Sequence, residues 1–290
     1  MKFMVLGATG MAGHVISLYL QVRGHDVLGW SRKPAHFLKR HAEGDAFDLK
    51  GLRGIIADEA PDVLVNCVGL LVSDCDSHHD LAVYLNAYFP HALASSVSGL
   101  PTRVFHLSTD CVFSGDNGPY SEYSFPNARE FYGRAKALGE LADCRNLTLR
   151  QSIVGPDIDE RGTGLLNWFM GQRAVVDGWT GAIWTGLTTL ELAKAVEACA
   201  LDGSCGLVNM VPEGPGLSKY ELLSLFNKYM RDGRVTVREV AGINADKTLR
   251  RTELVSSYSP QPYEEQVREL ASWISEHRGL YPHYEIGDVV

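Results

Sequence analysis

A short apolar run, Phe3-Met4-Val5-Leu6, ends directly in Gly7-Ala8-Thr9-Gly10-Met11-Ala12-Gly13, and helix-compatible residues follow to Val22. A strand that turns into a helix through three glycines leaves few fold options. Glycine permits positive φ in the turn and close approach of backbone to backbone. The bare helix start then offers N–H groups and the positive end of the helix dipole to a phosphate. Gly7, Thr9, Gly10, Met11 and Gly13 are therefore the expected pyrophosphate-binding residues of a dinucleotide cofactor. The spacing is G-x-x-G-x-x-G; its place between a strand and a helix is what gives it weight.

The alternation continues. Strands are expected over His25–Trp30, Val63–Val68, Thr102–Ser108 and Leu147–Ile153, with helices over Leu52–Glu59, Leu81–Ser98 and Glu130–Leu141. Such alternation implies an α/β, Rossmann-type, doubly wound parallel sheet. After Pro156 the pattern loosens into a polar loop, 157–164. Helices are expected at 165–171, 190–200, 219–230 and 262–277, and short strands at 207–211 and 235–240. Ser218 and Glu221 have the spacing of a capping box. We expect a dinucleotide-binding domain over 1–155, with 187–212 returning to it. A smaller C-terminal substrate-binding lobe then comprises 156–186 and 213–290.

The chain has 290 residues and a formal charge of -8. Net acidity disfavours non-specific binding to nucleic acid and to anionic membranes. No apolar stretch approaches a membrane span or a signal peptide. The six cysteines show no C-x-x-C pairing or zinc-ligand spacing, so no metal is expected and free thiols fit a reducing cytoplasm. Oligomeric state is not encoded legibly; a homodimer is compatible with everything above.

Three further segments carry chemistry. The second strand ends in Ser31-Arg32-Lys33, where an acidic residue would accept the ribose 2'-hydroxyl of NAD. Two cations and a hydroxyl suit a 2'-phosphate instead, so NADP(H) is the expected preference over NAD(H). Asp48 and Leu49 fall at a distance suited to the adenine end, and Val68 and Gly69 follow the next strand, where a ribose would pass. Ser108-Thr109-Asp110 closes a strand, and Thr109 is placed to hydrogen-bond a substrate carbonyl. Tyr132 and Lys136 are four apart on one helix face. A lysine ammonium beside a phenol lowers its pKa, making a tuned proton donor, and Lys136 with Tyr132 is also expected to bind the cofactor, the lysine at the nicotinamide ribose hydroxyls.

These motifs in this order resemble the extended short-chain dehydrogenase/reductases. More narrowly they resemble the dTDP-4-dehydrorhamnose reductase family, through 7–14, Asn86-Ala87, Ser108-Thr109-Asp110-Cys111-Val112-Phe113 and Tyr132-Gly133-Arg134-Ala135-Lys136. The resemblance implies a Thr109/Tyr132/Lys136 catalytic triad. It also implies NAD(P)H-dependent reduction of a 4-keto group on a nucleotide-linked 6-deoxyhexose, in surface-polysaccharide sugar biosynthesis. Ile183-Trp184-Thr185-Gly186-Leu187-Thr188-Thr189 and Asp246-Lys247-Thr248-Leu249 look more like reductases of UDP-linked N-acetyl 6-deoxyhexuloses. Substrate contacts are expected from Val112, Phe113, Asn167, Trp168, Trp179, Trp184 and Lys247. Dehydratases of the superfamily carry an Asp-Glu pair after the threonine; here Cys111 follows Asp110, which argues against water elimination. Some relatives bind the dinucleotide only to regulate a partner enzyme, which leaves a non-catalytic alternative.

Overall fold

The computed structural model describes residues 1–252 and 256–287. In chain order the first half comprises β1 (Lys2–Leu6), α1 (Met11–Val22), β2 (Asp26–Ser31), β3 (His41–Glu43), α2 (Leu49–Glu59) and β4 (Val63–Asn66). Then come α3 (Val72–Ser77), α4 (His79–Ala82), α5 (Phe89–Ser96), β5 (Arg103–Ser108), α6 (Phe131–Leu138) and β6 (Leu147–Arg150). The second half contains β7 (Ser152–Val154), α7 (Leu165–Met170), β8 (Val175–Trp179), β9 (Ala182–Trp184), β10 (Gly186–Thr188), α8 (Thr189–Asp202) and β11 (Gly206–Asn209). It ends with β12 (Leu217–Ser218), α9 (Lys219–Met230), β13 (Thr236–Val240), β14 (Ala245–Asp246) and α10 (Tyr263–Glu276).

Seven strands form one parallel sheet in the order β11-β6-β5-β4-β1-β2-β3. Both faces are covered, so successive residues of a strand are apolar in both directions. Phe3, Val5, Phe105 and Leu149 pack with residues of α1 and α8, whereas Met4, Leu6, Leu64 and Val104 pack with residues of α2 and α5. The strand order reverses between β1 and β4, and ligands of such sheets sit at that crevice, beyond the carboxyl ends.

A second core joins α7, α9, α10 and the last described segment, through Leu166, Phe169, Leu222, Phe226, Leu270 and Tyr281. Its strands are short: β8 pairs with β13, β10 with β7, and β9 lies between β12 and β14. The capping box at α9 is formed: Glu221 N–H donates to Ser218 Oγ at 3.1 Å and Ser218 N–H donates to Glu221 Oε2 at 2.7 Å.

Several expectations are corrected. The helix expected over 81–98 is three segments, α4, a π-helical stretch Val83–Tyr88, and α5. Pro90 has no N–H to continue the α pattern, and Phe89 N–H donates back to Tyr84 O. The helix expected over 130–141 stops at Leu138, capped by Gly139. The strand expected over 147–153 is divided at Gln151 into β6 and β7, which join different sheets. Helix α3 and strands β3, β8, β9 and β10 had no clear signal.

Candidate active site

The glycine loop closes on itself tightly. Gly7 has φ of 78°, a conformation that favours glycine. A Cβ on Gly13 would lie 2.1 Å from Gly7 O, so any side chain there would push α1 off the loop. Gly10 is the N-cap of α1 and supplies no side-chain hydrogen bond. The first N–H groups of the helix therefore stay available to an anion. Met11 and Thr9 sit half-buried beside it.

At the end of β5, Thr109 caps a short 3-10 turn, 110–112, by accepting from Cys111 N–H at 3.1 Å. Its hydroxyl donates to Asp110 Oδ1 at 3.1 Å. Helix α6 lies directly on this turn. A Cβ on Gly133 would come within 2.0 Å of Cys111 O, which explains the glycine between Tyr132 and Arg134. The C-terminal side of α6 is fixed by a buried pair: Arg150 Nη2 meets Glu140 Oε2 at 2.6 Å and Arg150 Nε donates to Glu140 Oε1 at 2.8 Å. Ser108 Oγ donates to the same carboxylate at 2.6 Å. Strands β5 and β6 and the end of α6 are thus locked together.

This packing brings Thr109, Tyr132 and Lys136 to one place. Burial pushes the Tyr132 phenol up, Cys111 adds to the rise, and hydrogen bonding with Thr109 opposes it. Without a ligand the phenol is therefore a firmly held proton. The expectation that Lys136 depresses it is not met: the Lys136 amine instead donates to Leu107 O at 2.6 Å. Burial lowers Lys136 to about 8, with Glu140 opposing.

The other expected residues divide. Arg32 and Lys33 are exposed at the end of β2, with Lys33 3.7 Å from Asp159. Ser31 is not free: its hydroxyl donates to Lys33 O at 2.8 Å and meets His41 Nε2 at 2.9 Å. Asp48 is the N-cap of α2, accepting from Gly51 N–H at 2.9 Å, and Leu49 opens that helix. Gly69 is exposed after β4, with Val68 half-buried before it. Val112 and Phe113 are fully buried, Phe113 stacking on Tyr120 at 4.1 Å; they anchor the end of the turn in an apolar cluster with Val211 and Leu249. Asn167 Nδ2 donates to Glu160 O and Gly162 O, and its Oδ1 accepts from Tyr284; it is committed to loop structure. Trp184 is core at 3% exposure, while Trp168 and Trp179 are 44% and 40% exposed. Lys247 is half-buried and its charge acts on Asp110 and Cys111.

Residues 1–154 match the family model described as RmlD substrate binding domain. The chain belongs to this family. Among curated relatives, the dTDP-4-dehydrorhamnose reductase of Streptomyces griseus is 33% identical over 143 residues, 49% of this chain and 44% of that protein. Methionine adenosyltransferase 2 subunit beta of Danio rerio is 32% identical over 142 residues, 48% of this chain and 42% of that protein. The match thus spans about half the length of these relatives, or less. The crystal structure of dTDP-4-dehydrorhamnose reductase from Bacillus anthracis in complex with NADP superposes with a TM-score of 0.77. It covers 93% of this chain and 98% of that one at 18% identity, a likeness of fold.

In this RmlD-type chain the sequence patterns do not single out three neighbours of the triad: Lys219, Asn66 and His106. Lys219, at the start of α9, sets its ammonium 5.7 Å from the Trp184 ring centroid and faces Asp110 electrostatically. Asn66 and His106 lie beneath Lys136. His106 interrupts an apolar strand and Asn66 closes one, and a polar residue in a buried strand is the signal that marks them. Asn86, on the π-helical stretch, holds the loop after β4 by accepting from Leu70 N–H at 2.8 Å and donating to Leu70 O at 3.0 Å. Among the described residues no cluster of His, Cys, Asp or Glu could hold a metal ion, and no helix is long and apolar enough to cross a membrane.

Proposed function

We propose that the protein is an NADPH-dependent reductase of a 4-keto group on a nucleotide-linked 6-deoxyhexose, acting in surface-polysaccharide sugar biosynthesis. One observation carries the reading: Thr109 and a half-buried Tyr132 meet at the carboxyl end of β5, in the sheet whose first strand leads into an uncapped helix start. The residues fit a dinucleotide. Gly7, Gly10 and Gly13 let the loop close on α1 with no side chain over its N-terminus, where a pyrophosphate would sit, Gly69 sets no side chain beside the ribose path, and the exposed Arg32 and Lys33 would meet a 2'-phosphate, Lys33 by releasing Asp159. When bound, the reduced nicotinamide supplies hydride to the carbonyl carbon.

The chain's own residues handle the oxygen. Tyr132 hydrogen-bonds the carbonyl, joined by Thr109 once its hydroxyl turns away from Asp110 Oδ1, and the two polarise it. As negative charge develops there, the phenol proton crosses to it. Lys136, held by Leu107 O, supplies the cation that tolerates the transient phenolate. Lys219 and Lys247 bring positive charge to the same side, which suits a diphosphate-bearing substrate. In this reading residues 1–155 with 187–212 bind the dinucleotide and the remainder forms the substrate lobe.

A second reading is favoured by the resemblance to methionine adenosyltransferase 2 subunit beta: a dinucleotide-binding subunit without turnover. NADPH oxidation with dTDP- and UDP-linked 4-keto-6-deoxyhexoses separates the two. Turnover that falls by at least about 100-fold in Tyr132→Phe, with NADPH affinity within twofold of wild type, is the expected result. NADPH binding without turnover on either sugar would favour the subunit.

A further inference from the structure

Beneath the triad runs a chain of buried polar groups that this chemistry does not use. Strands β4 and β5 place Asn66 directly opposite His106, and both side chains are fully buried. Asn66 Oδ1 accepts from Val68 N–H at 3.1 Å. That bond orients the amide, because the reversed amide would set donor against donor. Nδ2 is then the atom 3.1 Å from His106 Nδ1. An amide nitrogen only donates, so Nδ1 accepts and the ring proton resides on Nε2. Nε2 in turn lies 3.4 Å from Lys136 Nζ. The lysine therefore meets an N–H on this side and has Leu107 O as its hydrogen-bond acceptor.

We propose that Asn66 and His106 are positioning residues that set the proton of Lys136, presenting an N–H to the buried amine so that it exchanges readily between ammonium and amine. A neutral amine accepts a hydrogen bond from His106 Nε2–H head-to-tail and completes the chain from Val68 through Asn66 and His106. An ammonium opposes N–H to N–H. Lys136 thus serves the proposed reduction in its ammonium form and can release and regain that proton, instead of holding it throughout.

Burial itself weakens the hold of Lys136 on its proton, and the other groups around it do not add to the control that Asn66 and His106 supply. Cys67, after β4, and Cys111, in the 3-10 turn, are pushed up to about 12 by burial, and Cys75 on α3 is also raised. All three thiols stay protonated and neutral. Glu140 favours the ammonium but is engaged by Arg150 and Ser108. Asp110, also raised by burial, faces Lys219 and Lys247. Tyr132 is one turn back on the same helix and holds its proton. His79 on α4 stacks on Phe131 at 4.1 Å, His91 on α5 bonds Leu138 O, and Tyr84 donates to Ala46 O.

The inference takes Lys136 as the working lysine of the proposed reductase, but its first test needs no turnover. In the full-length wild-type protein, 13C shifts of the His106 ring, assigned by their loss in His106→Gln, distinguish the Nε2–H from the Nδ1–H tautomer. We expect Nε2–H; an Nδ1–H ring would overturn the proposal. The second test inverts the chain with the near-isosteric Asn66→Asp. Its second carboxylate oxygen would accept from Nδ1–H, turning the Nε2 lone pair toward Lys136 and stabilising the ammonium. The alkaline fall of NADPH affinity, and of turnover where present, should move up by at least about one pH unit, a tenfold change in proton affinity. A folded Asn66→Asp whose alkaline limb stays in place would overturn the proposal. A protein that binds NADPH but reduces neither sugar counts against the proposed function instead, because the tautomer and the pH dependence of binding are still read.

Discussion

The two ends of the sheet's carboxyl edge are built differently. At β5 and α6 the buried polar groups are wired: Ser108, Glu140 and Arg150 to one another, Lys136 to the backbone, Thr109 to its own turn. At β2 the side chains of Arg32 and Lys33 stand in solvent, with one exposed ion pair at 3.7 Å. In the proposed function the wired end carries chemistry, where a displacement of about 1 Å costs about 100-fold in rate. The open end selects a cofactor, where charge acts without rigid geometry and exposed pairs contribute less than about 1 kcal/mol. Rigidity is concentrated where position matters most.

Substitutions should break the two ends by different amounts. Gly133→Ala at the wired end should have the largest effect. The added Cβ would meet a backbone oxygen at 2.0 Å, so α6 has to move off the turn. Turnover should fall by at least about 100-fold, with stability reduced by about 3 kcal/mol, read by denaturant unfolding. Unchanged kinetics would mean that the dock between α6 and the turn is not what places Tyr132.

An intermediate effect is expected between the two ends, at the glycine loop. His14 is fully buried, with Nδ1 2.8 Å from Gly10 O and Nε2 2.8 Å from Tyr281 Oη. Burial lowers its pKa to about 4. The unfolded chain protonates His14 below about 6.5 while the folded chain resists until about 4. Stability is therefore lost as pH falls through that window, by about 3 kcal/mol. His14→Gln should remove that part of the acid sensitivity, seen as a smaller drop in Tm between pH 7 and pH 4.5. Parallel curves for the two proteins would refute it.

The smallest effect belongs to the open end. Arg32→Ala with Lys33→Ala should weaken NADPH binding by about tenfold and leave NADH binding within twofold. Added salt should narrow the wild type's preference. Equal loss of both cofactors would show that these cations do not discriminate a 2'-phosphate.

What was legible in the sequence follows from how local each contact is. Gly7 to Gly13 is one turn, and Tyr132 with Lys136 is one helical face, so their spacing states their geometry. Asn66 and His106 meet only through the register of β4 against β5, forty residues apart in sequence. Strand β13 is expected from the apolar run at 235–240, but β8, about sixty residues earlier, is legible only through the partner it pairs with. Trp184 and Trp179 read alike in sequence, yet one lies in the core and the other packs on Gly242 at the surface. The π-helical stretch before Pro90 was hidden because apolar periodicity tolerates one extra residue per turn.

The uncapped start of α1 sets a limit on how stable the empty protein can become. A serine or aspartate at position 10 would satisfy orphan N–H groups and stabilise the helix by about 1 kcal/mol, and the nearest atom to a new Cβ there, Gly7 O at 3.3 Å, would yield with a small shift. The same oxygen would occupy the anion's place, and an aspartate would repel it. Thermostability gained at this residue is ligand affinity surrendered, so selection for hardiness has to work elsewhere in the chain.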